Sequence, residues 1–286
     1  MSTPSALTAA TGSAAAPTLG PAPAVVAERL GKVYRTGAGE VVALHDVDLT
    51  VHAGEFVSLI GPSGCGKSTL MRLVADLEQP SAGALRVFGR DAEQARRAQD
   101  YGIAFQQAGL LPWRTVRGNV ELPLELTREP RRARAARADE LLDLVGLREF
   151  AGHHPHQLSG GMQQRVAIAR SLARSPSLLL MDEPFGALDE MTRERMQSEL
   201  LRIRERTQAA VIFVTHSIPE AVYLSDRVVI MSPRPGRVRQ IVPVTLGAAG
   251  ERSEGLREDA AFYDRVSAVR EALHGAAVAA RGMDVR

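Results

Sequence analysis

Gly61-Pro62-Ser63-Gly64-Cys65-Gly66-Lys67-Ser68 is a full match to the pattern G-x-x-x-x-G-K-[ST], and its flanks decide the fold. Before it, Phe56 to Ile60 is a short apolar run suited to a buried parallel strand. After it, Leu70, Leu73, Val74 and Leu77 fall at i, i+3, i+4 and i+7 on one helical face. Strand, glycine loop and helix in that order predict a nucleotide-binding α/β core. Glycines let the backbone turn so that successive N–H groups aim at phosphate oxygens, and the amino end of the helix adds a positive dipole. Residues Gly61 to Gly66, with Thr69, would form the cradle, Lys67 would reach the β and γ phosphates, and Ser68 would offer its hydroxyl to Mg²⁺. The bland alternative is a glycine-rich turn with a solvated lysine. Lys32 is the only other lysine in the chain, which makes a chance lysine at this position improbable.

A second run, Leu178-Leu179-Leu180-Met181-Asp182-Glu183, is an apolar strand that ends in two acids. At the carboxyl edge of a parallel strand such acids sit where ligands bind. Asp182 is therefore predicted in the Mg²⁺ shell, and Glu183 as the carboxylate that accepts the proton of an attacking water. A third run, Leu158-Ser159-Gly160-Gly161-Met162-Gln163-Gln164-Arg165, lies between them. Ser159 is a candidate N-cap, and the helix it opens carries Val166, Ala169, Leu172 and Ala173 on one face. An amino terminus with unpaired N–H groups and a positive dipole end suits an anion.

With these three runs in that order, the chain resembles the ATP-binding subunits of ABC transporters, whose most distinctive motif is the Leu-Ser-Gly-Gly-Met-Gln-Gln of residues 158–164. The resemblance covers about residues 25 to 245. It implies an α/β fold, a P-loop NTPase (RecA-like) core with an antiparallel β subdomain and an inserted α-helical subdomain. Carried over by position, it makes Tyr34 the aromatic that stacks on adenine and Gln106 the residue that senses Mg²⁺ and the membrane partner. It makes Asp189, in Ala187-Leu188-Asp189, the residue coupling two sites, and His216 the switch histidine at the γ phosphate. It further implies that Ser159, Gly160, Gly161 and Gln163 serve the ATP held by an opposite subunit, so that an ATP-dependent homodimer encloses two ATPs. Each residue has a plainer reading. Tyr34 could be a surface aromatic and His216 a core histidine. Gln107 adjoins Gln106, which is preferred because it follows the strand-like Ile103-Ala104-Phe105.

Composition agrees with one large α/β unit: 286 residues, 45% hydrophobic, formal charge +2. The basic residues are nearly all arginine and scattered, which argues against nucleic acid. The densest group, Arg128 to Arg137, reads as a solvated helix face. The single cysteine, Cys65, excludes an intrachain disulfide and suits a reducing compartment. No apolar run approaches the ~18 residues of a membrane span. Contact with a membrane is therefore expected through a partner; the resemblance implies permease subunits at the cytoplasmic face of the membrane, with a periplasmic or extracellular solute-binding protein engaged indirectly. His153, His154 and His156 crowd a proline-containing loop without cysteine or carboxylate partners at helical spacing and are not read as a zinc site.

The organisation expected from these runs is a disordered tail over 1–24, with the Ala-, Pro-, Ser- and Thr-rich composition reaching Ala27. An ATPase domain over 25–246 follows, with a helical insertion at about 107–173, and then a helical extension and tail over 247–286. Val47, Leu49 and Val51 alternate with Asp46, Asp48 and Thr50 as a half-exposed antiparallel strand. Pro80-Ser81-Ala82-Gly83 is expected to end the helix after the phosphate loop, and buried strands are expected at 211–215 and 227–231. The extension carries an amphipathic helix on Phe262, Val266, Val269 and Leu273, with the last ten or so residues frayed. Leu110-Leu111-Pro112-Trp113, Met181 to Asp189 and Ser232-Pro233-Arg234-Pro235-Gly236-Arg237 together look like the importer branch handling nitrate, sulfonate, taurine and related nutrients. An ABC-type ATPase without a transport role is the alternative. DNA-repair members would carry a long coiled-coil insertion and translation members two ATP units per chain. A P-loop kinase or GTPase would lack Ser159-Gly160-Gly161.

Overall fold

The computed structural model describes residues 23–37, 39–247, 252 and 254–283, with side chains left aside for 254 and 276–283. Its strands are β1 Pro23–Thr36, β2 Gly39–His52, β3 Phe56–Ile60, β4 Ala82–Val87, β5 Arg90–Asp91, β6 Tyr101–Ala104, β7 Leu178–Asp182, β8 Ala210–Val214, β9 Arg227–Met231 and β10 Val238–Pro243. Its helices are α1 Lys67–Val74, α2 Ala92–Ala98, α3 Val116–Leu126, α4 Arg131–Leu144, α5 Gly160–Ser171, α6 Glu190–Thr207, α7 Ile218–Leu224 and α8 Ala260–Met283.

The strands form two sheets. One is four-stranded and antiparallel in the order β2-β1-β4-β5; the other is six-stranded in the order β10-β9-β3-β8-β7-β6. In the second, β9, β3, β8, β7 and β6 are parallel, and β10 closes one edge antiparallel to β9. Its central strands are buried along their length because both faces are covered, and the one polar residue inside β3, Ser58, is paired with the Ser225 hydroxyl. Leu178 and Leu180 belong to a core shared with β1, β2 and α1, whereas Leu179 and Met181 face the core built with α5, α6 and α7. The period of two thus serves two hydrophobic layers rather than one. Helices α3, α4 and α5 pack on one another between β6 and β7.

The structure corrects several boundaries. Pro23–Ala27 is strand rather than disordered tail: Val25 pairs with both Val51 and Val87, and Ala24, Val25 and Ala27 are buried. Residues 1–22, where the rest of that expected tail falls, lie outside the described residues. Leu77 does not extend the α1 face but is 51% exposed. The helix stops at Val74 because Asp76 turns left-handed at φ 52, with Asp76 N–H donating to Leu73 O and Leu77 N–H to Arg72 O, a Schellman closure. Pro80–Gly83 does not simply end a helix, since Ala82 and Gly83 begin β4, where Gly83 at φ 79 sits so near β1 that a Cβ would lie 2.3 Å from Arg29 O. Val47, Leu49 and Val51 are buried along β2 as expected, with Asp46 and Asp48 exposed. Thr215 falls just beyond β8. Helix α8 buries Phe262, Val266 and Val269 against α7, β9 and β10, and its backbone continues to Met283, further than the frayed end expected.

Candidate functional site at the carboxyl edge of the parallel sheet

Four parallel strands deliver polar residues to one edge. Strand β3 runs into Gly61, β6 into Gln106, β7 ends on Asp182 with Glu183 next, and β8 leads to Thr215 and His216. Gly66 is the N-cap of α1 at φ 98, a left-handed turn that favours glycine. The close approach of β2 forbids a side chain there as well, because a Cβ would meet Leu44 Cδ2 at 2.6 Å and Ala43 O at 2.9 Å. Lys67 is 8% exposed, and its Nζ donates to Gly61 O at 2.7 Å and Pro62 O at 3.1 Å, so the ammonium lies across the loop. Cys65 is buried, with its sulfur 3.7 Å from Lys67 Nζ.

A cavity of about 350 Å³ brings together Tyr34, Ser63 to Thr69, Gln106 and Glu183. Tyr34 enters it from β1 opposite Val41, with Lys32 Nζ 4.9 Å from the ring centroid. Pro62 belongs to the same loop through its carbonyl contact with Lys67. Arg234, from the turn after β9, also lines the cavity, and its Nε approaches Gly64 O at 3.4 Å. Sequence reasoning had used the Ser232–Arg237 run only to mark a branch and missed that residue. The signal available was an arginine in a glycine-proline turn, which does not reveal what the turn faces.

Glu183 is the hub of the acidic end. Its backbone adopts φ 47, a strained value for a non-glycine residue, and its N–H donates to Val214 O at 2.9 Å, which fixes the kink after β7. Gln106 Nε2 donates to Glu183 Oε2 at 3.2 Å, and His216 Nδ1 lies 3.5 Å from the same oxygen. His216 is itself exposed rather than a core histidine. Asp182 is 6% exposed. Burial pushes its carboxyl above the ordinary aspartate value, with the neighbouring Glu183 adding to the rise and Ser68, Arg72 and Lys67 opposing it. A buried carboxylate beside a hydroxyl, with the Gln106 amide near, is an all-oxygen donor set of the kind a hard divalent cation prefers, so the residues present fit Mg²⁺.

The Ser159 group is not brought to this cavity. Ser159 caps α5, its Oγ accepting from Met162 N–H at 3.2 Å, and Gly160 opens to unobstructed space. Gly161 abuts its own chain's Ala187, whose carbonyl would lie 3.0 Å from a Cβ. Gln163 turns inward, Nε2 donating to Pro155 O at 2.9 Å and Leu158 O at 3.2 Å, so its amide holds the approach to α5. Asp189 caps α6. The Thr192 N–H donated to Oδ1 at 3.0 Å helps keep its carboxyl below the usual aspartate range. The amino end of α5 is thus exposed and separated from the phosphate loop of the same chain.

The loop before α3 is fixed by buried Asn119, which accepts from Leu111 N–H at 2.7 Å and donates to Leu111 O at 3.2 Å. It presents Trp113 at 72% exposure, which excludes the core-packing role for that side chain. Val116 is fully buried at the start of α3 and Leu110 is partly buried, which leaves Trp113 as the exposed large apolar side chain of this loop. A concavity of about 370 Å³ lies between β6, α3 and α5, lined by Tyr101, Phe105, Leu122 and Leu126 among others.

Comparison with known proteins bears on this edge. The family model described as ABC transporter matches residues 44–186. A taurine import ATP-binding protein of Rhizobium johnstonii is 52% identical over 198 residues, covering 69% of this chain and 75% of the relative. A nitrate import ATP-binding protein of a Synechocystis strain is 42% identical over 250 residues, covering 86% and 93%. A dimeric bacterial ABC transporter cassette superposes with a TM-score of 0.72 at 36% identity, covering 77% of this chain and 99% of that one, and the same cassette in a post-hydrolysis state bound to ADP and Pi matches equally.

Proposed function

The chain belongs to the ABC transporter family as an ATP-binding, ATP-hydrolysing subunit, and on that premise we propose that it powers an importer of a small anion or nutrient of the nitrate, sulfonate and taurine kind. The observation that carries the catalytic part is the convergence of the phosphate loop, Gln106, Asp182, Glu183 and His216 on one sheet edge. Tyr34 stacks on the base. Gly61 to Gly66 and Thr69 wrap the phosphates, and Lys67 balances their charge. Ser68, Asp182 and Gln106 would hold Mg²⁺, whose chemistry there would be to neutralise phosphate charge. Glu183 takes the proton of the attacking water, and His216, sharing its carboxylate, holds the γ-phosphate end. Ser159, Gly160 and Gly161 complete the site of a second copy, with Gln163 bracing their loop and Asp189 setting the junction between sites.

The working unit is residues 25–246, with the helical insertion at about 107–173 facing a membrane permease at the cytoplasmic side and 247–286 as an extension. No described helix is long and apolar enough to cross a membrane, so force reaches the cargo through the permease, and a solute-binding protein delivers that cargo from outside. The cargo class rests on the resemblance to the nitrate and taurine importers. Reconstitution of the chain with its permease partner in vesicles, followed by uptake of nitrate, taurine and an alkanesulfonate with and without internal MgATP, tests it. ATP-dependent uptake of one of them is expected. Hydrolysis without uptake of any would favour an ABC-type ATPase with another task.

A further inference from the structure

The extension beyond residue 246 is tied to the residues that flank His216 by a continuous run of hydrogen bonds. Arg257, in the 3-10 turn before α8, donates through Nη1 to Glu194 Oε1 at 2.7 Å and through Nη2 to Gln197 Oε1 on α6. Its guanidinium also lies 4.3 Å from the centroid of the Tyr223 ring on α7. Gln197 is 2% exposed and passes the contact on, its Nε2 donating to Glu220 Oε1 at 2.9 Å. Glu220, 8% exposed on α7, accepts from the Thr215 hydroxyl through its other oxygen, and Thr215 Oγ1 accepts from Ser217 N–H at 3.0 Å. Thr215 and Ser217 flank His216.

Arg252 adds a second grip. It is 6% exposed, and its Nη1 donates to Tyr223 O and Ser225 O at 3.0 Å each, which holds the carboxyl end of α7. The His216 ring is 73% exposed, and its one close polar contact among the described residues is Glu183 at 3.5 Å. With so little packing of its own, the ring is oriented by the backbone on either side. That backbone is held by a hydroxyl whose partner, Glu220, is in turn held from α6 and the extension. A buried amide–carboxylate relay of this kind loses its geometry when an end member is removed, because the remaining polar groups must find other partners.

We propose that Arg257 is a positioning residue for His216, acting through Gln197, Glu220 and Thr215, and that the C-terminal extension thereby sets the turnover of the ATPase. The inference rests on the reading that His216 serves the γ phosphate. It predicts a change in turnover without a change in nucleotide affinity, since Tyr34 and the phosphate loop lie outside the relay.

The test uses the full chain and the variants Arg257→Met, Arg257→Lys, Gln197→Leu and His216→Ala. Steady-state ATPase, ATP dissociation constants and the imidazole NMR signals of His216 are measured. Arg257→Met and Gln197→Leu are expected to lower kcat about 5- to 10-fold, the scale of one lost buried polar coupling, with ATP affinity within about twofold. The His216 signals should move while those of His153 stay, and Arg257→Lys, which keeps a donor, should recover most of the turnover. Unchanged kcat in Arg257→Met overturns the inference, as does a fall in kcat with unmoved His216 signals, or an equal loss of ATP affinity. Parental turnover in His216→Ala would strike the underlying site reading and this inference with it. Loss of activity in His216→Ala alone would refute only the link to Arg257.

Discussion

Replacing Glu183 with glutamine separates binding from chemistry. The amide matches the carboxylate in size, and its oxygen can still accept from Gln106 Nε2, which donates to Glu183 Oε2 at 3.2 Å. The left-handed backbone of Glu183 and its N–H bond to Val214 O are also indifferent to the change. Nothing in the phosphate loop touches the lost charge, and Lys67 is held by Gly61 O and Pro62 O. ATP affinity should therefore remain within a few-fold of the parent. The amide cannot accept the proton of water, so the general-base contribution of ~10²–10⁴ disappears. At about 1.36 kcal/mol per decade this raises the barrier by at least ~2.7 kcal/mol. Steady-state phosphate release and equilibrium binding of labelled ATP on the same preparation read the two quantities. Near-parental turnover would remove Glu183 from the chemistry and shift the burden to His216. Loss of binding together with turnover would mean that the carboxylate organises the site rather than acts in it.

In the Glu183→Gln background, MgATP should produce a sedimenting dimer that Ser159→Arg abolishes, because a bulky cation would fill the exposed amino end of α5; an equally stable dimer in the double variant would defeat the shared-site reading. Trp113→Ala should leave thermal stability within about 0.5 kcal/mol, as for exposed positions generally, and leave solution ATPase intact while weakening co-purification with the permease. Unchanged assembly would retire the Trp113 loop as a docking element. At Glu55, burial acts to raise the carboxyl, but Arg227, whose Nη2 donates to Glu55 Oε2 at 2.9 Å, and the His52 N–H outweigh it and leave the group below its ordinary value. Its stabilising contribution is complete above the unfolded carboxylate range and is lost as pH falls through the lower folded value. The melting temperature of the parent should therefore drop more steeply through that acid window than that of Glu55→Gln, and equal slopes would show the pair to be inert.

Residues 56–77 illustrate where sequence reasoning succeeds and where it stops. The order of strand, loop and helix followed from local chemistry alone: an apolar run, glycines where the backbone must turn, and a lysine and serine where phosphate and cation would sit. The length of α1 did not follow, because a left-handed closure at Asp76 ended the helix three residues before its apolar pattern did. Similarly, Ala82 and Gly83 read as the end of a helix rather than the start of β4, because strand character there comes from pairing with β1 across residues distant in sequence.

The same division runs through the site. Gly61 to Ser68, Ser159 to Gly161, Asp182 and Glu183 could be singled out from the sequence because each sits in a contiguous pattern with its own glycine, cap or acid. That Gln106 and His216 share one oxygen of Glu183 was not, since β6, β7 and β8 bring them together from positions far apart in the chain. Arg234 at Gly64, and Arg257 behind Gln197 and Glu220, lacked any pattern at all. A lone arginine in a turn has no periodicity, and whom it meets is decided by the packing of helices and sheets around it. Sequence determined which chemistry this chain carries, because that chemistry is built from local runs whose residue types are each required. Tertiary structure alone decided which side chains share an oxygen, a cavity or a hydrogen-bond relay, because those relations are distances in space that spacing along the chain does not encode.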